Sequence, residues 1–144
     1  MKMKIRIEGT EEIKRNLRKL MQLTNRDVVE DALMAGAELV VEEAKRLVPV
    51  DTGNLRDSIG ISTETKGMNF ARVQLKKGDQ VLLVGPLQGK GLPHDGFYGH
   101  MVEFGTLYMQ PQPFMGPAFD AMAPKATYVA LEHIADEFQR LMKR

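Results

Sequence analysis

The 144-residue chain contains no cysteine and no tryptophan, and aromatic residues make up only 6% of it. The lack of cysteine excludes a disulfide framework, a thiol nucleophile and a cysteine-ligated zinc site. No apolar run approaches the roughly 18 residues that a membrane-spanning helix needs. The N-terminus alternates charged and apolar residues, unlike a signal peptide. The sequence therefore predicts intracellular synthesis and no membrane partner.

The common motifs of catalysis and nucleotide binding are also missing. The chain has no GxSxG motif and neither of the glycine-rich phosphate-binding motifs, GxxxxGKS/T and GxGxxG. The triplet Asp51-Thr52-Gly53 is the one found in aspartic proteases, but those enzymes need a second carboxylate that shares a proton with the first. Because the chain has one such triplet, we predict no catalysis, no cofactor and no small-molecule substrate.

Two alternatives from other functional classes stay open at this point. A metal-dependent hydrolase would require His94, His100 and Glu103 to converge, because a catalytic zinc usually has three protein ligands. A nucleic-acid-binding module would direct the cationic side chains of the N-terminal strand and first helix at phosphates. Those side chains are Lys2, Lys4, Arg6, Lys14, Arg15, Arg18 and Lys19. No aromatic residues lie among them, which argues against sequence-specific binding but leaves non-specific proximity to DNA open.

Charge is divided unevenly along the chain, although the formal net charge is only +1. Residues 1–26 carry eight Lys or Arg against three Asp or Glu, whereas residues 27–64 carry three against nine. Charge blocks of opposite sign affect association more than fold. They suit head-to-tail contact between copies of the chain.

The length predicts a single domain over residues 1–144, and the hydrophobic pattern predicts both strands and helices in it. Strict alternation in Met1–Glu8 is typical of a half-buried strand, and helical spacing of apolar residues begins after Thr10. The spaced residues of this first helix are Ile13, Leu17, Leu20 and Met21. Thr24 or Asn25 is expected to cap a second, longer helix.

The second helix has an apolar stripe that steps by threes and fours, which predicts that one face packs on the core. The stripe consists of Val29, Leu33, Gly36, Val40, Ala44 and Leu47. Glu43 projects onto this stripe, and we expect its carboxylate to reach water or a basic neighbour. Pro49 is expected to end the helix.

The stretch LVPVDTGNLRDSI, residues Leu47–Ile59, predicts a rigid corner that joins the long helix to a sheet. Asp51 can accept hydrogen bonds from the backbone N–H groups of Gly53 and Asn54, and Gly53 relieves crowding. Leu55 and Ile59 are four residues apart and fold back onto the core. The residues predicted to fix the corner are Asp51, Thr52, Gly53 and Leu55.

Three short segments after the corner, residues 59–65, 70–76 and 81–85, predict an antiparallel meander. The stretch GPLQGKGLPHDG follows, and its four glycines and two prolines predict a flexible loop over residues 86–97. A C-terminal helix is expected from Phe114 onward, with a kink or restart expected at Pro124. Its predicted inner face consists of Tyr128, Leu131, Ile134, Phe138 and Leu141.

Three motifs occur in a fixed order: AKRLVPVDTGNLRDSI (Ala44–Ile59), YGHMVEFGT (Tyr98–Thr106) and QPQPFMGPAFDA (Gln110–Ala121). In that order they resemble the small tail-completion proteins, also called neck or minor tail components, of long-tailed bacteriophages and prophages. The resemblance spans residues 35–144 roughly, and the leading strand and helix agree with it in layout. It implies an α+β domain: a curved antiparallel sheet of about four strands, packed by a long central helix, an N-terminal helix and a C-terminal helix.

The same resemblance implies a structural virion protein of the head–tail junction, or neck, that completes the tail or joins it to the capsid. Its partners would be other copies of itself in a ring and neighbouring connector or tail proteins. It would be made in the bacterial host cytoplasm and end in the virion. The residues expected to make protein contacts lie in and just after the long loop: Gly89, Gly91, Pro93, His94, Tyr98 and Glu103.

Overall fold

The computed structural model describes residues 10–23, 25–63 and 81–144. Within these ranges the elements are α1 (Thr10–Leu23), α2 (Arg26–Leu47), α3 (Asn54–Ser58), β1 (Ile59–Ser62), β2 (Leu83–Pro86), α4 (Gly99–Phe104) and α5 (Met115–Lys143). This mixture confirms the predicted α+β class and all three predicted helices. The predicted strands over Met1–Glu8 and residues 70–76 lie outside the described ranges, so the described residues support two strands rather than four.

The two longest helices, α2 and α5, pack against each other and form the main helical layer. A Cβ atom added to Gly36 of α2 would lie 2.6 Å from the carbonyl oxygen of Ala126 in α5. The backbones therefore approach closely at a position that only glycine allows. Ala32, Val40 and Ala44 are buried on the same side of α2, which confirms that the helix packs through a stripe of small and branched residues.

Glu43, which interrupts this stripe, forms an ion pair with Arg46 one turn later. The Arg46 Nε donates to Glu43 Oε2 at 2.9 Å, and this hydrogen bond holds the pKa of the Glu43 carboxyl below its ordinary value. The expectation that Glu43 reaches a basic neighbour is confirmed. Burial continues past it to Ala44 and Val48.

The ends of α2 agree with the sequence in position but not in every contact. The helix ends at Leu47, before Pro49, and the Val48 amide donates to the Ala44 carbonyl at 2.9 Å. Asn25 occupies the N-cap position, but its side chain makes no capping hydrogen bond. Its carbonyl accepts instead from the Val29 amide, so the backbone alone begins the helix.

Strands β1 and β2 pair directly and antiparallel, in a register that runs from Ile59 opposite Pro86 to Ser62 opposite Leu83. An antiparallel sheet was expected, but the predicted meander is wrong for these two strands. In a meander, segment 70–76 would separate them and would make their directions parallel. Alternation in the sequence identifies a strand without identifying its neighbour, which depends on contacts at the corner.

Helix α5 differs from its prediction in two ways. It continues from Met115 to Lys143 through Pro124 without a restart, because packing along α2 outweighs the one missing N–H group and the crowding of the proline ring. A kink at Pro124 stays a prediction. Tyr128 and Leu131, predicted to face inward, are 62% and 60% exposed. The apolar positions of α1 are also at the surface, with Leu17 53% exposed.

No described helix is both long and apolar enough to cross a membrane.

Replacing Gly36 with alanine tests the close crossing of α2 and α5. Alanine in a helix interior normally stabilises by about 0.5–1 kcal/mol relative to glycine. Here its Cβ would lie 2.6 Å from the Ala126 oxygen, and we expect a net loss of about 1–3 kcal/mol from overpacking. Chemical denaturation measures the change. A gain in stability would show that α5 moves aside without cost.

Candidate functional site

The corner after α2 turns at Gly53, whose φ of 84° lies in the left-handed region that glycine occupies most easily. Asn54 then begins α3, and its amide donates to Thr52 Oγ1 at 3.3 Å. The prediction for Asp51 is corrected here: the acceptor is the hydroxyl two residues before the amide, as in an ST-turn. Asp51 itself is exposed, and α3 has no side-chain N-cap.

The apolar residues of the corner anchor it to both layers of the fold. Leu55 and Ile59 are 5% and 3% exposed, as predicted. They form one buried cluster with Val48, Phe114 and other core residues. The corner thus holds α2, the sheet and the start of α5 together.

The loop after β2 leaves the body of the protein and returns to it at a closed base. The Leu87 amide donates to the Ser58 carbonyl, and the Gly96 amide donates to the Leu87 carbonyl, each at 2.8 Å. Residues 88–95 therefore form an excursion whose two ends are joined. The predicted contact residues at its tip are all exposed: Gly89, Gly91, Pro93 and His94.

Asn54 connects the corner to the returning end of this loop. Its Nδ2 donates to the Asp95 carbonyl at 2.9 Å and to the Tyr98 hydroxyl at 3.2 Å. Beside it, a Cβ atom on Gly96 would lie 2.5 Å from the Pro86 Cβ, so the chain passes in tight contact with a fully buried proline. The sequence gives no sign of this role of Asn54, because its partners lie more than forty residues away.

The corner and Tyr98 also share a cavity of about 370 Å³. Asp51, Thr52, Gly53 and Leu55 line one side, and Tyr98, Val102 and Met109 are among the residues of the other. The structure thus brings the four predicted corner residues next to one predicted contact residue. The Tyr98 side chain packs against the buried cluster.

Glu103, another predicted contact residue, has an internal role as a cap for α5. Its Oε2 accepts from the amides of Phe114 and Met115 at 2.7 and 2.9 Å, and its Oε1 accepts from the Gly116 amide at 2.9 Å. The first amides of a helix lack partners within the helix, and a carboxylate also complements the helix dipole. Glu103 therefore fixes α4 to the beginning of α5.

These contacts bear on the two alternative functions. In the part of the chain that the structure describes, no group of three His, Asp or Glu side chains is placed to hold a metal ion. The basic face predicted to bind nucleic acid is described only where it belongs to α1. There the Lys14 ammonium pairs with the Glu11 carboxylate at 2.9 Å. Lys2, Lys4 and Arg6 lie outside the described residues, so the continuous basic face stays a prediction.

A family of known proteins matches more than half of the chain. The family model described as "Bacteriophage HK97-gp10, putative tail-component" matches residues 11–105. The chain belongs to this family. The match contains the corner, the excursion 88–95 and Glu103, and it ends before α5, which Glu103 caps. No curated protein and no solved structure matches the chain.

Membership of this tail-component family confirms the phage assignment made from the motifs. The chain is a tail component of a bacteriophage, with a structural role. Within this chain the geometry separates two groups of residues. Asn54, Tyr98 and Glu103 hold the framework together, whereas the tip residues of the excursion face outward.

Replacing Glu103 with alanine should remove three hydrogen bonds from the start of α5. We expect a loss of about 1–2 kcal/mol in the free energy of unfolding, the usual range for a lost N-cap. Glu103→Gln keeps one acceptor oxygen and should lose less. Asp136→Ala, at an exposed position of α5, is the matched control. Equal stability of the alanine variant and the wild type would contradict the capping role.

Asn54→Asp should release the loop base while preserving side-chain size. Aspartate cannot donate to the Asp95 carbonyl or the Tyr98 hydroxyl, and we expect a loss of about 1–2 kcal/mol. Amide hydrogen exchange at Gly96 should accelerate with it. Tyr98→Phe removes only one acceptor and should have a smaller effect. Unchanged exchange at Gly96 in Asn54→Asp would rule out the anchoring role.

Proposed function

We propose that this tail component acts at the head–tail neck, where it completes the tail or joins it to the capsid connector without catalysis. The observation that carries the proposal is the excursion 88–95: its base is fixed by hydrogen bonds and its tip is exposed. Such a loop presents contact residues at a defined place on a rigid body. It suits a protein that works by fitting against neighbours.

The chemistry of the tip supports a protein partner. Gly89 and Gly91 have φ of 152° and 89°, so the backbone there takes conformations that side chains disfavour. A Cβ added to Gly91 would meet nothing within 4 Å, which leaves its backbone open to a partner. Lys90 and His94 are exposed beside them, and the tip therefore offers backbone groups together with the positive charge of Lys90.

The internal use of carboxylates supports a structural role over a catalytic one. Glu103 is the acidic residue of the α4 motif, and both of its oxygens accept hydrogen bonds from backbone amides. A general acid or base needs a side chain free to exchange a proton with substrate. Glu103 instead holds two helices together.

We infer further that copies of the chain associate in a ring and that the chain acts as one domain over residues 1–144. The opposite charge of residues 1–26 and 27–64 favours head-to-tail contact between copies. Loop 86–97 contacts the connector or a tail protein, and a ring around the channel brings it close to DNA without sequence recognition. Synthesis takes place in the bacterial host cytoplasm.

Replacing Gly89–His94 with a Gly-Ser linker of equal length tests the docking role. Gln88 and Asp95 stay in place, since the Asp95 carbonyl accepts the hydrogen bond from Asn54. We expect the variant to fold with wild-type thermal stability, because the replaced residues are exposed. In a phage carrying it, tails and filled capsids should accumulate unjoined, as seen by electron microscopy.

The control is the same phage with Asp136→Ala, which changes an exposed side chain of α5. It should give infectious particles at the wild-type titre. Normal particles from the linker variant would overturn the proposed docking role of the loop.

A further inference from the structure

Large apolar side chains are exposed just before α4, on α4 and on the turn that follows it. Phe97, Met101 and Phe104 are spaced four and three residues apart and are 54%, 39% and 70% exposed. Leu107 and Tyr108 come next, at 96% and 97% exposed. We call these five residues the outer apolar surface. Soluble proteins rarely leave so many large apolar side chains together in water without a use for them.

The turn that carries Leu107 and Tyr108 is held by hydrogen bonds on both sides. Gly105 opens it with φ of 75°, and the Thr106 amide donates to the Met109 carbonyl at 2.8 Å. The Tyr108 amide donates to Thr106 Oγ1 at 3.2 Å. The two most exposed apolar side chains therefore stand on a turn built to present them.

This part of the sequence is also free of charge. No Lys, Arg, Asp or Glu occurs from Phe104 to Phe119, although charged residues make up 27% of the chain. The centres of protein interfaces are depleted of charged residues in the same way and enriched in aromatic ones and methionine. The composition is that of an interface core.

The size of the outer apolar surface fits a protein partner. Large side chains each bury about 150–250 Å² when covered, so five of them at these exposures offer roughly 600 Å². A standard interface buries about 800 Å² on each partner. The outer apolar surface supplies most of one side of such a contact.

The same chain carries an apolar groove of matching chemistry between α2, α5 and β2. Its volume is about 630 Å³, within the range of clefts that enclose drug-sized ligands. Its lining contains no charged residue and includes Val40, Val84 and Ile134. Phe119 and Leu131 also line it and are 60% exposed. Leu107 and Tyr108 do not occupy the groove of their own chain, since they are almost fully exposed.

We propose that the outer apolar surface of one copy docks into the α2–α5 groove of a second copy. The inference rests on the proposed function, because it names the surfaces through which copies in the ring associate. Two different patches of one molecule then meet, which is a heterologous contact. Repetition of such a contact closes into a ring when the rotation allows.

Sedimentation velocity on the purified full chain tests the contact. We expect wild-type protein to self-associate with rising concentration. The double variant Leu107→Asp/Tyr108→Asp should weaken the self-association constant at least about tenfold. Leu131→Arg changes the α2–α5 groove, the other side of the proposed contact, and should weaken self-association by a similar factor. Ile13→Asp removes an apolar side chain that is 57% exposed on α1 and should change nothing. Wild-type protein that stays monomeric up to about 1 mM overturns the proposal.

Mixing separates this contact from a general loss of folding. The Leu107/Tyr108 variant keeps an intact groove, and the Leu131 variant keeps an intact outer apolar surface. Equal amounts of the two, each inert alone and each melting like wild type, should form 1:1 dimers that grow no further. If they do not combine, the two surfaces do not meet, and the proposal falls.

The outcome is independent of the loop experiment. Unaltered self-association in both variants, together with unjoined tails from the linker variant, would sink this contact and leave the neck function standing. Normal particles from the linker variant, with association lost as expected, would sink the docking role alone. If the Leu107/Tyr108 variant associates normally but is excluded from virions, the surface serves a different virion protein and the proposal is wrong.

Discussion

The carboxylate of Glu103 is the contact on which the arrangement of the second half of the chain depends. It binds the amides of three consecutive residues at the start of α5, where a helix has donors and no partners of its own. Phe114, the first of those three, is completely buried. The cap therefore fixes the distance between α4 and α5, while the buried Phe114 ring fixes the start of α5 in the core. Because α5 packs along α2, the position of α4 follows from the same constraint.

A second constraint acts at the corner, and the two meet in one framework. Asn54 reaches across to the loop that returns from β2, while Gly99 passes so close to Pro86 that an added Cβ would lie 2.7 Å from the proline ring. The corner thus determines where α4 begins, and Glu103 determines where it ends. Both protruding features, the excursion 88–95 and the outer apolar surface, extend from this framework. If this framework were mobile, binding through either feature would cost additional conformational entropy.

The parts that the sequence predicts well are those set by neighbouring residues. Gly53 is recognisable because a turn needs its conformation, and the stripe of α2 because a helix has a fixed period. The predictions that are wrong share one cause: a local sequence pattern does not reveal which distant residues an element contacts. Alternation could not reveal that β1 pairs with β2, and helical period could not reveal that Leu131 borders an open groove. Glu103 looked like a surface acid because its three donors come after a stretch with no regular pattern.

The internal use of Glu103 has a consequence for the surface around it. It is the only acidic residue from Gly96 to Phe119, and no Lys or Arg occurs in that stretch either. With its oxygens directed at α5, the outward side of α4 and the following turn carry no Lys, Arg, Asp or outward-facing Glu side chain. Discrimination there must come from shape and apolar area, since charge complementarity needs charges on the surface. In the proposed association between copies, the unequal charge of residues 1–26 and 27–64 acts over a longer range and steers their approach. Long-range steering and short-range apolar fit are thus assigned to different parts of one small chain, so each can be altered without disturbing the cap that holds α4 to α5.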